Sequence, residues 1–512
     1  MCKKSQTIPP KGLHMIRYTS ERQLPLAGFI LPFGGRLNPE NRWVKLGKKI
    51  PWDGLAQGYY QQMSSDRGRP AKNARLVIGA VIIKHKLNLS DEETVLQIQE
   101  NPYLQYFIGL SRYQEEPAFA PSLFVEIRRR MGSKVFDAFE KAILAEINRG
   151  RHDKETDDKQ DPPSHKGKLV IDATVAEQAI RFPTDLSLLN ESREITEQLI
   201  DQLCSDFGAK KPRTYRQQAR KRYLQLAKNR KPGRSLLRRG LRQQLQYIRR
   251  NLGHIDTLLA SSERFSLTSK QQKQLWVVRE VYAQQSLMYR NRSHRCNDRI
   301  VSIHQPHVRP IVRGKAGSQT EFGAKISVSL VDGLARVDHL SWDAFNESHD
   351  LQSQVERYKE RYGYYPEAVL ADGIYGTRDN RRFLQSNGIR FGGKPLGRPV
   401  KQTDQNAEQL KLAKKQRKLD ALLRIPIEGK FGQGKNGYRL NYVRARTAKT
   451  SEAWINAIFL VMNLLVLLKY WRVHTLECFL YALGRKALQF LTLIKGSLKA
   501  MSSPADAISC RI

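Results

Sequence analysis

The chain has 512 residues, a hydrophobic fraction of 40% and a formal charge of +39, from 88 Lys and Arg against 49 Asp and Glu. That length allows two or three domains with a substantial core, and a globular chain this basic repels itself unless a polyanion answers it, which points to nucleic acid. The five cysteines, Cys2, Cys204, Cys296, Cys478 and Cys510, are scattered and form no C-x-x-C pair, which argues against a zinc site or a disulfide framework and for a reducing cytoplasm.

Residues 1–149 read as a helical N-terminal domain. The start Met1-Cys-Lys-Lys-Ser-Gln has no apolar h-region, so no signal peptide is expected. Ser90-Asp-Glu-Glu93 has the form of a capping box ahead of Thr94-Val-Leu-Gln-Ile. Pro121-Ser-Leu-Phe-Val-Glu-Ile-Arg-Arg-Arg opens another helix with a basic end. Short helices with basic termini suit DNA binding, and suit a plain helical domain nearly as well. Residues 150–167 contain no hydrophobic side chain and read as a polar linker.

A first strand, Lys168-Leu-Val-Ile-Asp172, follows and is expected to end at Asp172. Residues 186–299 then read as a helical insert. Its segment 207–255 has 16 Lys and Arg and no Asp or Glu. Leu224, Leu236, Leu237, Leu241, Leu245 and Ile248 keep roughly helical spacing. The opposite face is basic, and Arg238, Arg239 and Arg242 on it are expected to meet phosphate, because a merely solvated face usually mixes signs.

Strand patterns return after residue 300. Phe322-Gly-Ala-Lys-Ile-Ser-Val-Ser-Leu-Val and Ala335-Arg-Val-Asp-His-Leu-Ser-Trp342 flank an Asp332-Gly333 hairpin turn. A helix is expected over 347–362, a strand ending at Asp372, a helix capped by Thr377, and a fifth strand from Ile389. A lysine-rich polar stretch at 400–420 leads to a helix near Glu428 that could begin at Pro426. The run 454–468 is apolar but broken by Asn456 and Asn463, and so reads as a core helix rather than a membrane span. Residues 471–512 are expected to form a C-terminal helical tail.

Three acids stand where a metal-dependent phosphoryl-transfer site needs them. Asp172 and Asp372 each end a strand, where active groups of open sheets gather. Glu428 lies between Arg424 and Lys435, and all three share one face if the segment is helical throughout. Converging carboxylates are what two divalent ions beside a scissile phosphate require. Each acid also has an ordinary use: a turn or cap for the aspartates, and the first turn of a helix for Glu428.

Several segments together resemble the bacterial insertion-sequence transposases of the DDE type. They are Ile171-Asp172-Ala-Thr-Val, Arg313-Gly-Lys-Ala with Glu321-Phe-Gly-Ala-Lys-Ile, Ser341-Trp-Asp-Ala-Phe-Asn-Glu-Ser, Tyr365-Pro-Glu-Ala-Val-Leu-Ala-Asp372-Gly-Ile-Tyr-Gly, and Arg424-x-x-x-Glu428 followed by Lys435. The resemblance implies an α/β fold: a ribonuclease-H-like mixed sheet of five strands with helices over 168–185 and 300–470, interrupted by the insert and preceded by the helical domain. It implies Asp172, Asp372 and Glu428 as a metal-binding triad, two Mg²⁺ or Mn²⁺ ions, and DNA contacts from Arg424 and Lys435. Where the family often has Tyr three residues before the Arg, this chain has Ala421. The implied reaction is metal-dependent cleavage at terminal inverted repeats and strand transfer into target DNA, by a homodimer or higher assembly at the bacterial nucleoid. The alternatives are a non-catalytic DNA-binding protein, such as a decayed transposase, and a structure-specific nuclease.

Overall fold

A computed structural model describes residues 28–31, 35–61, 63, 71–152, 165–261, 267–312, 320–398 and 400–468. Most of the expected linker, the Arg313-Gly-Lys-Ala segment, the tail at 471–512, and Cys2, Cys478 and Cys510 lie outside these residues.

The N-terminal part is helical: α1 (Arg42–Lys49), α2 (Trp52–Tyr60), α3 (Ala74–Leu87), α4 (Asp91–Glu100), α5 (Pro102–Phe107), α6 (Leu123–Arg130) and α7 (Ser133–His152). Local chemistry sets the ends of α3 and α4. Asn73 Oδ1 accepts the Arg75 N–H at the start of α3, and Asn88 closes it in a left-handed conformation, φ 56°. Ser90 Oγ then accepts the Glu93 N–H to open α4. α7 runs three residues into the stretch expected as linker, so that boundary moves to His152.

Six strands form one mixed sheet: β1 (Lys168–Glu177), β2 (Arg309–Val312), β3 (Thr320–Val331), β4 (Leu334–Ser341), β5 (Ala368–Leu370) and β6 (Arg390–Phe391). β3 pairs antiparallel with β1 on one side, and with β2 and β4, end to end, on the other. β5 is parallel to both β1 and β6. Two expectations need correction. The expected five strands omit β2, a four-residue edge strand whose Pro310 weakens the sequence signal. β1 also continues five residues past Asp172, because Ala173-Thr-Val-Ala stays buried and keeps its ladder with β3. The hairpin turn is as its sequence demands, with Asp332 at φ 49° and Gly333 at φ 82°.

Between β1 and β2 the chain forms α8 (Asp185–Phe207), α9 (Arg216–Ala227), α10 (Arg234–Ala260) and α11 (Ser269–Asn291). They enclose a separate apolar core around Ile200, Leu203, Ile248, Ile255 and Val278. Leu245 and Ile248 are buried there, whereas Leu224 and Leu236 are exposed, so only part of the expected apolar stripe faces inward. After β4 come a 3-10 turn (Glu347–Asp350), α12 (Leu351–Tyr362), α13 (Arg378–Ser386), α14 (Ala407–Gly432) and α15 (Ala448–Leu468).

α15 is long and apolar enough to cross a membrane by composition, but 72% of its apolar window is buried inside the protein. Asn463 explains its own place in that helix. Its side chain donates to the Ala335 carbonyl at 2.8 Å and accepts the Ala335 N–H at 2.9 Å, pairing with the backbone of β4. On its other side α15 meets the N-terminal helices, where His85 packs edge-on to Trp454 with ring centres 5.2 Å apart. One continuous apolar core therefore joins the N-terminal helices, α15 and one face of the sheet.

Candidate active site

Val170 and Leu370 are the last paired residues of the parallel β1–β5 ladder. Asp172 and Asp372 each stand two residues beyond, so the register brings them to the same level. β5 stops at Leu370, and Asp372 caps a 3-10 turn (Gly373–Tyr375) with its Oδ1 accepting the Gly373 N–H at 2.6 Å. β1 instead continues beside β3. The strands part at the two aspartates and open a gap in the sheet there. Asp372 thus does fill the capping role common for this residue type.

α14 passes both β1 and β5 and supplies the third side. The helix contains Pro426 in its interior, not in its first turn, and already begins at Ala407. A proline inside a helix removes one backbone bond and ordinarily kinks or breaks it. Here tertiary anchors hold both flanks. Upstream, the buried Asp420 accepts from Arg390 of β6 at 2.9 Å and from Gln416 at 3.0 Å. Downstream, Ile427 and Phe431 enter the core.

Arg424 links the acids. Its Nη1 lies 3.9 Å from Asp372 Oδ1, and its Nη2 lies 3.3 Å from Glu428 Oε1. Burial pushes the Asp172 carboxyl above the ordinary carboxylate range; the Ala173 N–H it accepts pulls it down, Glu347 and Asp372 push it up, and Arg424 pulls it down. Asp172 is half-buried, while the Asp372 and Glu428 side chains are 66% and 57% exposed. A solvent-facing pair thus sits over a less hydrated partner.

Among the described residues, no group of three or more His, Cys, Asp or Glu side chains is close enough to hold a metal ion. Carboxylate oxygens are the donors a hard divalent cation takes; here Asp372 and Glu428 flank Arg424, whose charge also acts on Asp172. Arg424 is the cation that now stands between two of them.

Lys435 goes elsewhere. α14 ends at Gly432 and widens into a π turn (Gln433–Gly437), which turns Lys435 out of the Arg424–Glu428 row. Its Nζ lies 3.3 Å from Glu321 and 3.6 Å from Glu177, at the far end of β1. Glu177 stands five strand positions beyond Asp172, roughly 17 Å away. In the insert, Arg239 and Arg242 are exposed, whereas Arg238 is half-buried with its guanidinium 4.2 Å from the Tyr289 ring centre.

Three further side chains, Lys325, Glu347 and Tyr375, carry no expected role from the sequence, although each lies in a segment quoted for the family resemblance. Lys325 of β3 pairs with Glu347 at 2.8 Å. Tyr375 is fully buried in the core between the sheet and α12. Spacing alone could not single them out, because each comes from a different element.

Two family models match the chain. "Transposase domain (DUF772)" matches residues 32–130, and "Transposase DDE domain" matches residues 369–465. The second spans Asp372, Arg424, Glu428 and Lys435; Asp172 lies outside it. The chain is also 33% identical over 156 residues to "Uncharacterized protein ORF8 in nfe locus" of Rhizobium meliloti, covering 30% of this chain and 69% of that protein. No solved structure matches the chain. With both transposase models matched in the expected order, and a relative aligned over more than two thirds of its own length, the chain belongs to the DDE transposase family.

Proposed function

We propose that this protein cuts DNA at the ends of its own element and joins the freed 3′ ends to target DNA, with Asp172, Asp372 and Glu428 as its metal-holding carboxylates. The observation that carries this reading is the meeting of three distant segments. The two aspartates reach one level where β1 and β5 part, and Arg424 joins Asp372 to Glu428. The sheet supports a ribonuclease-H-like core: with the edge strand β2 set aside, the order is β4-β3-β1-β5-β6, antiparallel on one side of β1 and parallel on the other.

Mg²⁺ or Mn²⁺ held by these carboxylates would supply charge stabilisation to the attacking and leaving oxygens of an in-line displacement. The chain's own residues do the rest. Asp172, less hydrated than its partners, offers a rigid strand-borne oxygen. Asp372 is fixed by its turn and Glu428 by the anchored helix. Arg424 is positioned to meet the phosphate backbone once it leaves the carboxylates, since its planar fork matches phosphate oxygens. Arg239 and Arg242, with Arg238 behind them, extend the DNA path along the insert. Lys435 contacts DNA farther from the cut. Pairing two element ends calls for a homodimer or larger assembly, acting on DNA at the nucleoid in the cytoplasm.

The test is incubation of the full-length protein with a plasmid carrying its element's terminal repeats, with Mg²⁺ or Mn²⁺ and with chelator. Nicking at the repeats that needs the metal, followed by joining to target, is expected. Metal-independent band shifts without any cleavage would leave only a DNA-occupying protein.

A further inference from the structure

We infer that the first half of α14 is a second DNA-binding surface, separate from the insert, which takes the backbone of the duplex about 4–8 base pairs from the scissile phosphate. The placement rests on the reading of Glu428 as a metal-holding residue at the cut; the surface itself does not.

The lysine-rich stretch that leads to Glu428 is part of the same helix, since α14 begins at Ala407. No residue of α14 before Asp420 is buried, and the helix enters the fold only with Asp420, Ile427 and Phe431. From Lys411 to Lys418 the sequence Lys-Leu-Ala-Lys-Lys-Gln-Arg-Lys holds five cations and no acid. Lys411, Lys414, Lys415, Arg417 and Lys418 are all exposed, and none of them pairs with a carboxylate among the described residues. Arg417 donates from Nε to the Ala413 carbonyl of its own helix at 3.2 Å.

Helical spacing aims this charge. Residues seven and eleven apart share a face, which puts Arg417 in one row with Arg424 and Glu428. Lys411, Lys414 and Lys418 follow the i, i+3, i+7 spacing of the adjoining row, and Ala421 between the rows adds no bulk. Leu412 and Leu419 fall on the opposite side. Lys411 with Lys415, and Lys414 with Lys418, are like-charged i, i+4 pairs, which weaken a helix that has no burial to offset them. A merely solvated face ordinarily interleaves acids and bases. A surface of one sign with its charges unpaired is complementary to a polyanion, and for a chain of this family that polyanion is DNA.

The distances follow from the helix. At about 1.5 Å per residue, Lys418 stands about 15 Å and Lys411 about 26 Å from Glu428 along the axis. A duplex rising about 3.4 Å per base pair covers that interval between about 4 and 8 base pairs from the cut.

Two measurements on the full-length protein, made without metal, test this. One variant carries Lys411→Gln, Lys414→Gln, Arg417→Gln and Lys418→Gln together. A companion carries Lys411→Arg, Lys414→Arg and Lys418→Arg, which keep the charge. With a non-specific duplex followed by fluorescence anisotropy, the slope of log affinity against log salt is expected to fall by about 3–4 in the glutamine variant and to hold in the companion. With a fragment bearing the terminal repeat, phosphate ethylation about 4–8 base pairs from the outer end of the repeat is expected to block binding of the wild type, and to make no difference to the glutamine variant. A wild-type slope in the glutamine variant, or the same loss in the companion, would overturn the inference. Equal interference in that window for wild type and glutamine variant would overturn the placement. The two levels of argument stay separable. A protein that binds as expected but never cuts with Mg²⁺ loses the triad and keeps this surface. One that cuts, while its glutamine variant keeps the full slope, loses this surface alone.

Discussion

Around the sheet, cation after cation meets a carboxylate: Lys325 meets Glu347, Lys435 meets Glu321 and Glu177, Arg390 meets Asp420, and Arg424 meets Asp372 and Glu428. The insert behaves differently. Its segment 207–255 has 16 Lys and Arg and no acid of its own, and the cations there turn to Asp201 of α8, to aromatic rings or to solvent. The two regions also differ inside. The sheet shares one core with α15 and the N-terminal helices, while the insert encloses its own. Under the proposed function, the paired charge fixes groups that the chemistry uses, and the unpaired charge of the insert meets the polyanion.

Four measurements would break or sharpen this contrast. The largest effect belongs to the sheet. Asp172→Asn or Asp372→Asn should lower metal-dependent nicking by about 10³-fold or more, since each is asked to hold several kcal/mol of metal-borne stabilisation. The same variants should still shift non-specific DNA on a gel, because the insert is untouched. Full nicking activity in either variant would remove that aspartate from the site.

Next comes the division of cores. Ile458 and Ile248 are both fully buried, one in α15 and one in α10. Truncation of either to Ala should cost about 2–5 kcal/mol. Hydrogen exchange should then show Ile458→Ala loosening the sheet and the N-terminal helices together, and Ile248→Ala loosening the insert first. Uniform loosening by both would mean that the insert does not stand on its own core.

A pH effect is expected at the seam between α7 and β4. Burial raises the Glu140 carboxyl to about 7, despite the opposing pull of Arg336, 2.7 Å away. Between pH 4.5 and about 7 the folded chain therefore holds a proton that the unfolded chain has released. Stability contributed by that proton is present below the unfolded value and is lost as pH rises through the folded one. Glu140→Gln should flatten the fall of the melting temperature over this window. An unchanged slope would exclude Glu140 as its source.

The smallest effect is on salt dependence. Arg239→Ala with Arg242→Ala should reduce the slope of log affinity against log salt by about 2, one for each phosphate that is no longer neutralised. An unchanged slope would mean that the basic face of α10 does not touch the backbone.

Much of this molecule was legible before folding, and particular residues explain why. Ser90 and Thr377 announce their helices because capping is a local bond between neighbours in the chain. Asp332-Gly333 announces its hairpin because few residues accept two successive left-handed conformations. The family segments, the excess of positive charge and the helical insert are likewise properties of the chain itself. β2 was missed because Pro310 hides a short edge strand, and the length of β1 because a partner strand, not composition, keeps it extended.

What only the tertiary structure decided concerns encounters between elements. Pro426 reads as a helix start, yet α14 runs through it, since Asp420 on Arg390 and the burial of Ile427 and Phe431 outweigh one missing backbone bond. Lys435 reads as a companion of Glu428, yet a π turn sends it to Glu177 and Glu321. Glu347 meets Lys325 of β3 only because the turn after β4 packs against the sheet. Spacing along a chain determines which neighbours share a face. Which distant groups meet is determined by register, burial and the ends of strands, and these exist only once the chain has packed.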